Sequence, residues 1–185
     1  MREGNEVRSL LLFYPMNGEP QIQALEQKVE ALINTEPGLF LVEVRIKPSN
    51  NIKVFIDGDE GISIDKLVHY NRILYKWIEE NRMFPNDDFS LEVSSPGLDE
   101  PLKLYRQYLK NIGRYVEVTD KEGVQKEGKL ISATETSIVV EEIKARPTGK
   151  NKNNINGQGK GKKIETVQHT ISFSEIKTKK IQIKF

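Results

Sequence analysis

Cysteine is absent from this chain of 185 residues. Its absence excludes disulfide bridges, thiolate zinc sites and thiol catalysis together, and it fits a reducing compartment. Histidine is scarce as well: only His69 and His169 are available as a base near neutral pH. Long apolar runs are also missing. The longest, Leu10 to Tyr14, stops at Pro15, far short of the roughly 20 residues that span a bilayer. No small-residue cleavage site follows a longer apolar stretch, so no secretory signal is read. Together these gaps predict a soluble, cytoplasmic protein with no membrane contact.

What the chain does have is charge, and it is unevenly placed. The formal net charge is only +1. Residues 1–100 carry 10 Lys and Arg against 18 Asp and Glu, a balance of −8, whereas residues 101–185 carry 18 against 9, a balance of +9. Such asymmetry predicts a basic module that meets nucleic acid or ribonucleoprotein, tied to an acidic module that avoids phosphate and meets basic protein. An apolar content of 37% beside 30% charged residues suits a folded globular protein, and the length allows two small domains.

Residues 1–18 carry no clear period and read as a loose extension. Glu19 to Thr35 reads as a helix: Pro20 suits a first turn, Ile22, Leu25, Val29, Leu32 and Ile33 share a face, and Pro37-Gly38 stops it. Leu39–Lys47 and Ile52–Asp57 read as an antiparallel hairpin about Pro48-Ser49-Asn50-Asn51. Ser63 is an N-cap for a second helix running to about Asn81. Ile64, Leu67, Asn71, Leu74 and Ile78 line its inner stripe, widened by Val68, Tyr75 and Trp77. Phe89–Val93 is a third strand. The order helix–strand–strand–helix–strand predicts one α+β domain over 19–94, its two helices covering one sheet.

After Ser95 the pattern changes. Residues 95–102 read as a linker, and Leu102, Tyr105, Leu109 and Ile112 are spaced for one short helix closed by Gly113. Five short strands follow, at Arg114–Thr119, Glu127–Ala133, Ser137–Glu142, Ile164–Phe173 and Thr178–Phe185. They predict a small β-barrel over 103–185, because closing a sheet removes its exposed edges. Ala145 to Lys163 is Gly, Asn and Lys with hardly an apolar side chain, so it cannot offset the entropy of ordering and reads as a long, mobile basic loop.

Leu91-Glu92-Val93-Ser94-Ser95-Pro96-Gly97-Leu98-Asp99-Glu100-Pro101-Leu102 resembles the signature of the bacterial ribosome maturation factor family RimP. Asn111-Ile112-Gly113-Arg114 before a Val-x-Val strand, and Ile171-Ser172-Phe173-Ser174-Glu175-Ile176 before the last strand, also resemble family positions, and the match runs from about Gln21 to Phe185. One position departs: the family carries Arg where this chain has Glu100. The basic loop is also longer than in a typical member. The resemblance implies a KH-like N-terminal domain joined to a five-stranded Sm- or SH3-like barrel. It further implies a non-catalytic factor that binds the free small (30S) ribosomal subunit late in assembly, touching small-subunit ribosomal protein number twelve and nearby rRNA.

The signature has a physical task of its own. Pro96 and Pro101 fix φ, Gly97 permits a turn with φ > 0, and Asp99 can cap the short helix. Ser94, Ser95, Pro96, Gly97, Leu98, Asp99 and Pro101 are therefore hinge candidates, with a direct binding surface as the rival reading. A hydrolase elbow would need Gly-x-Ser-x-Gly, and Val93-Ser94-Ser95-Pro96-Gly97 lacks the first glycine. No catalytic residue is assigned. Asp57-Gly58-Asp59-Glu60-Gly61 is the one dense acidic group, but it lacks EF-hand ligand order, so no metal or cofactor is expected. Its Gly58-Asp59-Glu60-Gly61 is formally the GxxG of a KH clamp. Two carboxylates there would repel phosphate, and the loop joins strand to helix rather than helix to helix.

Positive charge marks the binding candidates. Lys144, Arg146, Lys150, Lys152, Lys160, Lys162 and Lys163 contribute +7 with no acid between them. They read either as a phosphate-neutralising loop or as a solvated insertion. Arg114, Lys129 and Lys179 are the barrel residues expected to dock on the ribosome. Among the aromatics, Tyr105 is assigned to the core, and Tyr108 and Tyr115 to base stacking. A monomer is expected. The alternative class is a freestanding Sm-like RNA chaperone, which would oligomerise through barrel edges.

Overall fold

The computed structural model describes residues 19–97, 100–144 and 165–182, with 144 and 178–182 described in their backbone course alone. The expected extension 1–18 and the loop 145–163 lie outside the described residues. The chain divides into two compact units after Gly97.

In the first unit α1 spans Glu19–Ile33 and buries Leu25, Val29 and Ile33. The chain then turns, with the Glu36 N–H donating to the Ile33 carbonyl at 2.8 Å. β1 (Leu39–Lys47) and β2 (Asn51–Gly58) pair antiparallel. The turn between them holds Ser49 and Asn50 at φ of 65° and 52°, a left-handed conformation that Asn tolerates better than most side chains. A bulge at Val42 separates the pairs Leu41↔Ile56 and Glu43↔Phe55. Strand alternation alone would send Leu41 and Val44 to opposite faces; the extra residue lets both join the core. α2 spans Ile64–Glu80, capped by the Ser63 hydroxyl, which accepts from the Lys66 N–H. β3 (Ser90–Ser94) returns parallel to β2, giving the order β1-β2-β3. Fully buried Ile52, Val54 and Ile56 of the central strand meet Leu25, Val29, Leu74 and Ile78 of the two helices.

The inner stripe of α2 differs from expectation. Ile64 is 78% exposed, and Val68 and Tyr75 are also exposed, whereas Tyr70 is buried. The apolar set of this helix is wider than the sheet can cover. Tyr70 is admitted because its hydroxyl finds a partner, donating to Glu36 Oε1 at 2.6 Å. Lys66 also donates to that carboxylate.

This trio sets a pH window for the first unit. The bonds from Lys66 and Tyr70 hold the Glu36 carboxyl below its ordinary 4.5. Desolvation, then the bond to Glu36, pushes the Tyr70 phenol from 10.0 up to about 12. A depressed carboxyl stabilises the fold above its unfolded pKa, and that stability is lost as pH falls; a raised phenol stabilises below its unfolded pKa, and that is lost as pH rises. The unit's melting temperature should therefore fall below pH 4.5 and again above pH 10. Tyr70→Phe should abolish the alkaline limb in a thermal-melt series; an unchanged limb would show that another group sets it.

In the second unit α3 spans Tyr105–Lys110. β4 (Tyr115–Asp120), β5 (Gln125–Ala133), β6 (Ser137–Lys144), β7 (Glu165–Ser172) and β8 (Ile176–Gln182) form one antiparallel sheet in the order β7-β6-β5-β4-β8. The expected closed barrel is not formed: β7 and β8 are edges rather than partners. Only Phe173–Glu175 carries the chain from one edge to the other. At about 3.3–3.6 Å per residue that link is short, so the sheet must curl strongly. Bulges between Leu130 and Ser132 and between Thr119 and Asp120 supply bend. The link is tied down by other loops, with the Phe173 N–H bound to the Thr136 carbonyl and the Lys121 N–H to the Glu175 carbonyl, each at 2.9 Å. At Gly128 a Cβ would lie 2.4 Å from the Glu141 carbonyl oxygen, so β5 and β6 cross too closely there for any side chain.

The core of this unit collects Leu102, Tyr108, Val116, Val118, Leu130, Ile138, Val140, Ile171 and Ile176. α3 presents the opposite face from the expected one. Tyr105, Leu109 and Ile112 are exposed, whereas Tyr108, Gln107 and Asn111 are buried.

Candidate functional site

The signature segment leaves β3 at Ser94, whose hydroxyl donates to Glu92 Oε1 at 3.4 Å. Ser95 and Gly97 are exposed and Pro96 is half-buried. Gly97 does not adopt the positive φ expected of it, and nothing lies within 4 Å of where its Cβ would stand. Local sterics therefore do not require glycine there. Leu98 and Asp99 lie outside the described residues, and the half-buried Glu100 and Pro101 lead to the buried Leu102. α3 starts only at Tyr105, with Leu104 at its N-cap position. Its first turn is closed by Gln107, whose Oε1 accepts the N–H groups of Lys103 at 2.8 Å and Leu104 at 3.0 Å.

Beyond α3, Gly113 turns the chain at φ 90°. Its N–H donates to the Leu130 carbonyl at 2.8 Å, and the Leu130 N–H returns a bond to the Arg114 carbonyl at 2.9 Å. Tyr115 then pairs with Lys129 across β4 and β5. These ties bring Arg114, Tyr115 and Lys129 to one corner of the sheet, with Arg114 and Lys129 exposed and Tyr115 half-buried. A Cβ at Gly113 would stand 4.0 Å from Lys129 Cε, an ordinary contact, so it is the positive φ and not space that favours glycine there. The row continues through Glu141, paired with Lys129, to Gln168, whose amide donates to Glu141 at 3.4 Å. The positive corner thus borders the Glu141 carboxylate, which makes the Arg114 side the more favourable one for an anion. A hollow beside it, lined by Tyr115, Gln125, Lys126, Glu127, Glu142 and Ile143, carries mixed charge and no anion preference.

The remaining candidates are scattered. Lys179 pairs through its backbone with Val118, three residues along β4 from Tyr115, and only its backbone course is described. The same holds for Lys144, at the end of β6; Arg146, Lys150, Lys152, Lys160, Lys162 and Lys163 lie outside the described residues altogether. Tyr108 is removed from the stacking candidates. It is 2% exposed, its ring lies 4.9 Å from Phe173, its hydroxyl donates to the Leu102 carbonyl at 3.1 Å, and burial pushes its phenol above the usual range. Tyr105, assigned to the core from its spacing, is exposed instead.

Sequence spacing did not single out Lys103, which precedes α3, or Lys110, which ends it. A local charge count finds them, since residues 101–116 hold four cations and no carboxylate. The histidines are placed apart. His69 lies beside Tyr70 on α2 with ring centroids 5.9 Å apart, and His169 Nε2 lies 3.0 Å from Glu142 Oε2 on the second sheet. Among the described residues no cluster of His, Asp or Glu is suited to a metal ion, and no helix is long and apolar enough to cross a membrane.

Comparison with known proteins matches residues 28–99 to the RimP N-terminal domain. The ribosome maturation factor RimP of Christiangramia forsetii is 34% identical over 163 residues, which cover 88% of this chain and 98% of that protein. This chain belongs to the RimP family. The factor of the same name from Cytophaga hutchinsonii is 38% identical over 123 residues, 64% of this chain and 74% of that one. That of Chlorobium limicola is 35% identical over 137 residues, 67% and 78% respectively. The RimP N-terminal match takes in α2, β3 and the first part of the signature, and the Christiangramia alignment, at 88% of this chain, takes in the second unit too.

Proposed function

We propose that this chain is a cytoplasmic ribosome maturation factor that binds the free small (30S) ribosomal subunit and assists its late assembly without catalysing a reaction. The observation that carries the reading is the exposed corner of Arg114, Tyr115 and Lys129, set in a half of the chain with balance +9 within a family of ribosome maturation factors. Arg and Lys supply attraction to phosphate, and a half-buried Tyr supplies a stacking surface. The acidic first unit, a KH-like domain whose Gly58–Gly61 turn carries two carboxylates, meets basic protein, with small-subunit ribosomal protein number twelve as the contact that the family resemblance implies. The second unit is the Sm-like module, and Ser94–Pro101 is the joint between the two. By binding one arrangement of rRNA and protein more tightly than others, the factor shifts the population towards it and needs no fuel.

Sedimentation of tagged protein in a cell lysate tests this directly. It should travel with free small subunits and not with whole ribosomes; absence from the small-subunit fractions would discard the reading. A ring-sized species of the purified chain, paired through β7 and β8, would favour an Sm-like RNA chaperone instead. Deleting Thr148–Gly161 tests whether the basic stretch takes part. For every phosphate that the stretch neutralises, its deletion should flatten the log–log salt dependence of subunit binding by about 0.7–0.9. An unchanged slope would leave the stretch as a solvated insertion.

A further inference from the structure

α2 overhangs the open side of the first sheet. One of its flanks is covered: Tyr70 and Lys66 donate to Glu36, and Lys28 of α1 lies 5.8 Å from the centre of the Trp77 ring. The opposite flank carries Ile64, Val68 and Tyr75 at 78%, 42% and 40% exposure. Their spacing i, i+4, i+11 puts them on one stripe. That stripe runs beside β3. Tyr75 packs on Phe89 with ring centroids 4.8 Å apart, and the Asn71 amide donates to the Leu91 carbonyl at 3.3 Å. Four residues of helix advance about 6 Å and two residues of strand about 6.6 Å, so α2 and β3 keep step in opposite directions, which sets Leu67 and Val68 level with Val93. β3 itself is an edge strand, paired with β2 on one side alone. Its other side presents a row of backbone N–H and C=O groups. Among the described residues, Asn71 is the one side chain that reaches a β3 backbone group.

We propose that the open edge of β3, walled by Ile64, Val68 and Tyr75 of α2, receives an extended basic segment of a partner protein as a fourth strand. The backbone decides the kind of occupant. A row of N–H and C=O groups at strand spacing is matched by another extended main chain, not by a helix or a nucleic acid. Alternate side chains of the added strand point to the α2 side of the sheet, where the exposed stripe covers them. Charge decides the sign. Exposed Glu79 continues the stripe by one turn, and exposed Asp87 and Asp88 lead directly into Phe89 and β3, with Arg82 the one cation between them. Residues 19–97 as a whole hold 8 Lys and Arg against 14 Asp and Glu. Lysines and arginines in the segment are therefore attracted, and an acidic segment is repelled. The inference deepens the proposed function and rests on its reading that the acidic unit meets basic protein.

The test uses the full chain, isotope-labelled and titrated with a synthetic peptide of about 9 residues, alternating Val and Thr between two lysines at each end. At saturation, N–H exchange within residues 90–94 should slow at least about tenfold, and the methyl signals of Ile64 and Val68 should shift. N-methylation of the central peptide nitrogens, which keeps every side chain, should weaken binding at least about fivefold, as should exchanging the four lysines for glutamates. Ile64→Ser combined with Val68→Ser should weaken it by about as much. Both positions are exposed, so an unchanged melting temperature certifies the fold, and the two altered peptides test the proposal with the protein untouched. The proposal is overturned if residues 90–94 gain no protection, or if the N-methylated or the glutamate peptide binds as well as the parent. Protection that grows with protein concentration in the absence of peptide would assign the edge to a second copy of the chain, and protection by oligouridylate alone would assign it to RNA. Co-sedimentation of the unmodified chain with small subunits is a separate readout, so failure of the strand addition and failure of the proposed function are distinguishable.

Discussion

Tyr108→Ala should destabilise the second unit by about 3–5 kcal/mol, whereas Tyr105→Ala, three residues away, should cost only about 1 kcal/mol, since its ring is the less covered of the two and its hydroxyl donates to the Ala133 carbonyl at 3.4 Å. The two tyrosines differ in where their rings go, not in their local sequence. Tyr108 fills the space between α3 and the sheet, packs on Phe173 and satisfies the Leu102 carbonyl. Its removal leaves a cavity and an orphaned carbonyl together. Tyr108→Phe isolates the second of these and should cost about 1 kcal/mol. Urea denaturation of the three variants ranks them, and a larger loss for Tyr105→Ala than for Tyr108→Ala would show that α3 packs with its other face inward.

The double reversal Arg114→Glu with Lys129→Glu should weaken small-subunit binding by about 100-fold, equivalent to about 2.7 kcal/mol. Both side chains are exposed, so stability should hardly move and the loss can be read as binding alone. Each single reversal should account for part of it, and the deficit should shrink as salt rises, because screening weakens the wild-type attraction that the variants no longer have. Lys76→Glu, on the exposed side of α2 in the acidic unit, is the control and should bind as wild type. If the double variant co-sediments as fully as the parent chain, the corner is not the ribosome-facing surface.

Much of the architecture could be read from residue order. The hairpin follows from Pro48-Ser49-Asn50-Asn51 between two branched runs, the start of α2 from Ser63, and the change of class from the alternating strands beyond Gly113. These are local signals, set by φ preferences and capping atoms within a few residues. Two expectations failed for a shared reason. Ile64, Val68 and Tyr75 on α2, and Tyr105 and Leu109 on α3 with Ile112 just beyond it, have helical spacing yet stay exposed. Periodicity reports which side chains share a face; it does not report which face a distant sheet covers.

The sequence by itself determined the succession of elements, the acidic and basic halves and the family signature, because each depends on residue identity and near neighbours alone. Only the tertiary structure decided that Arg114, Tyr115 and Lys129 meet at one corner, that Gln107 and Asn111 go inward while a leucine and an isoleucine stay out, and that the second sheet curls without closing. Those outcomes rest on contacts between residues far apart in the chain. The Leu130 backbone that seats Gly113 and Arg114, the Phe173 ring that packs on Tyr108 and the Thr136 carbonyl that ties down the Phe173–Glu175 link all act through space, and no local window contains both partners.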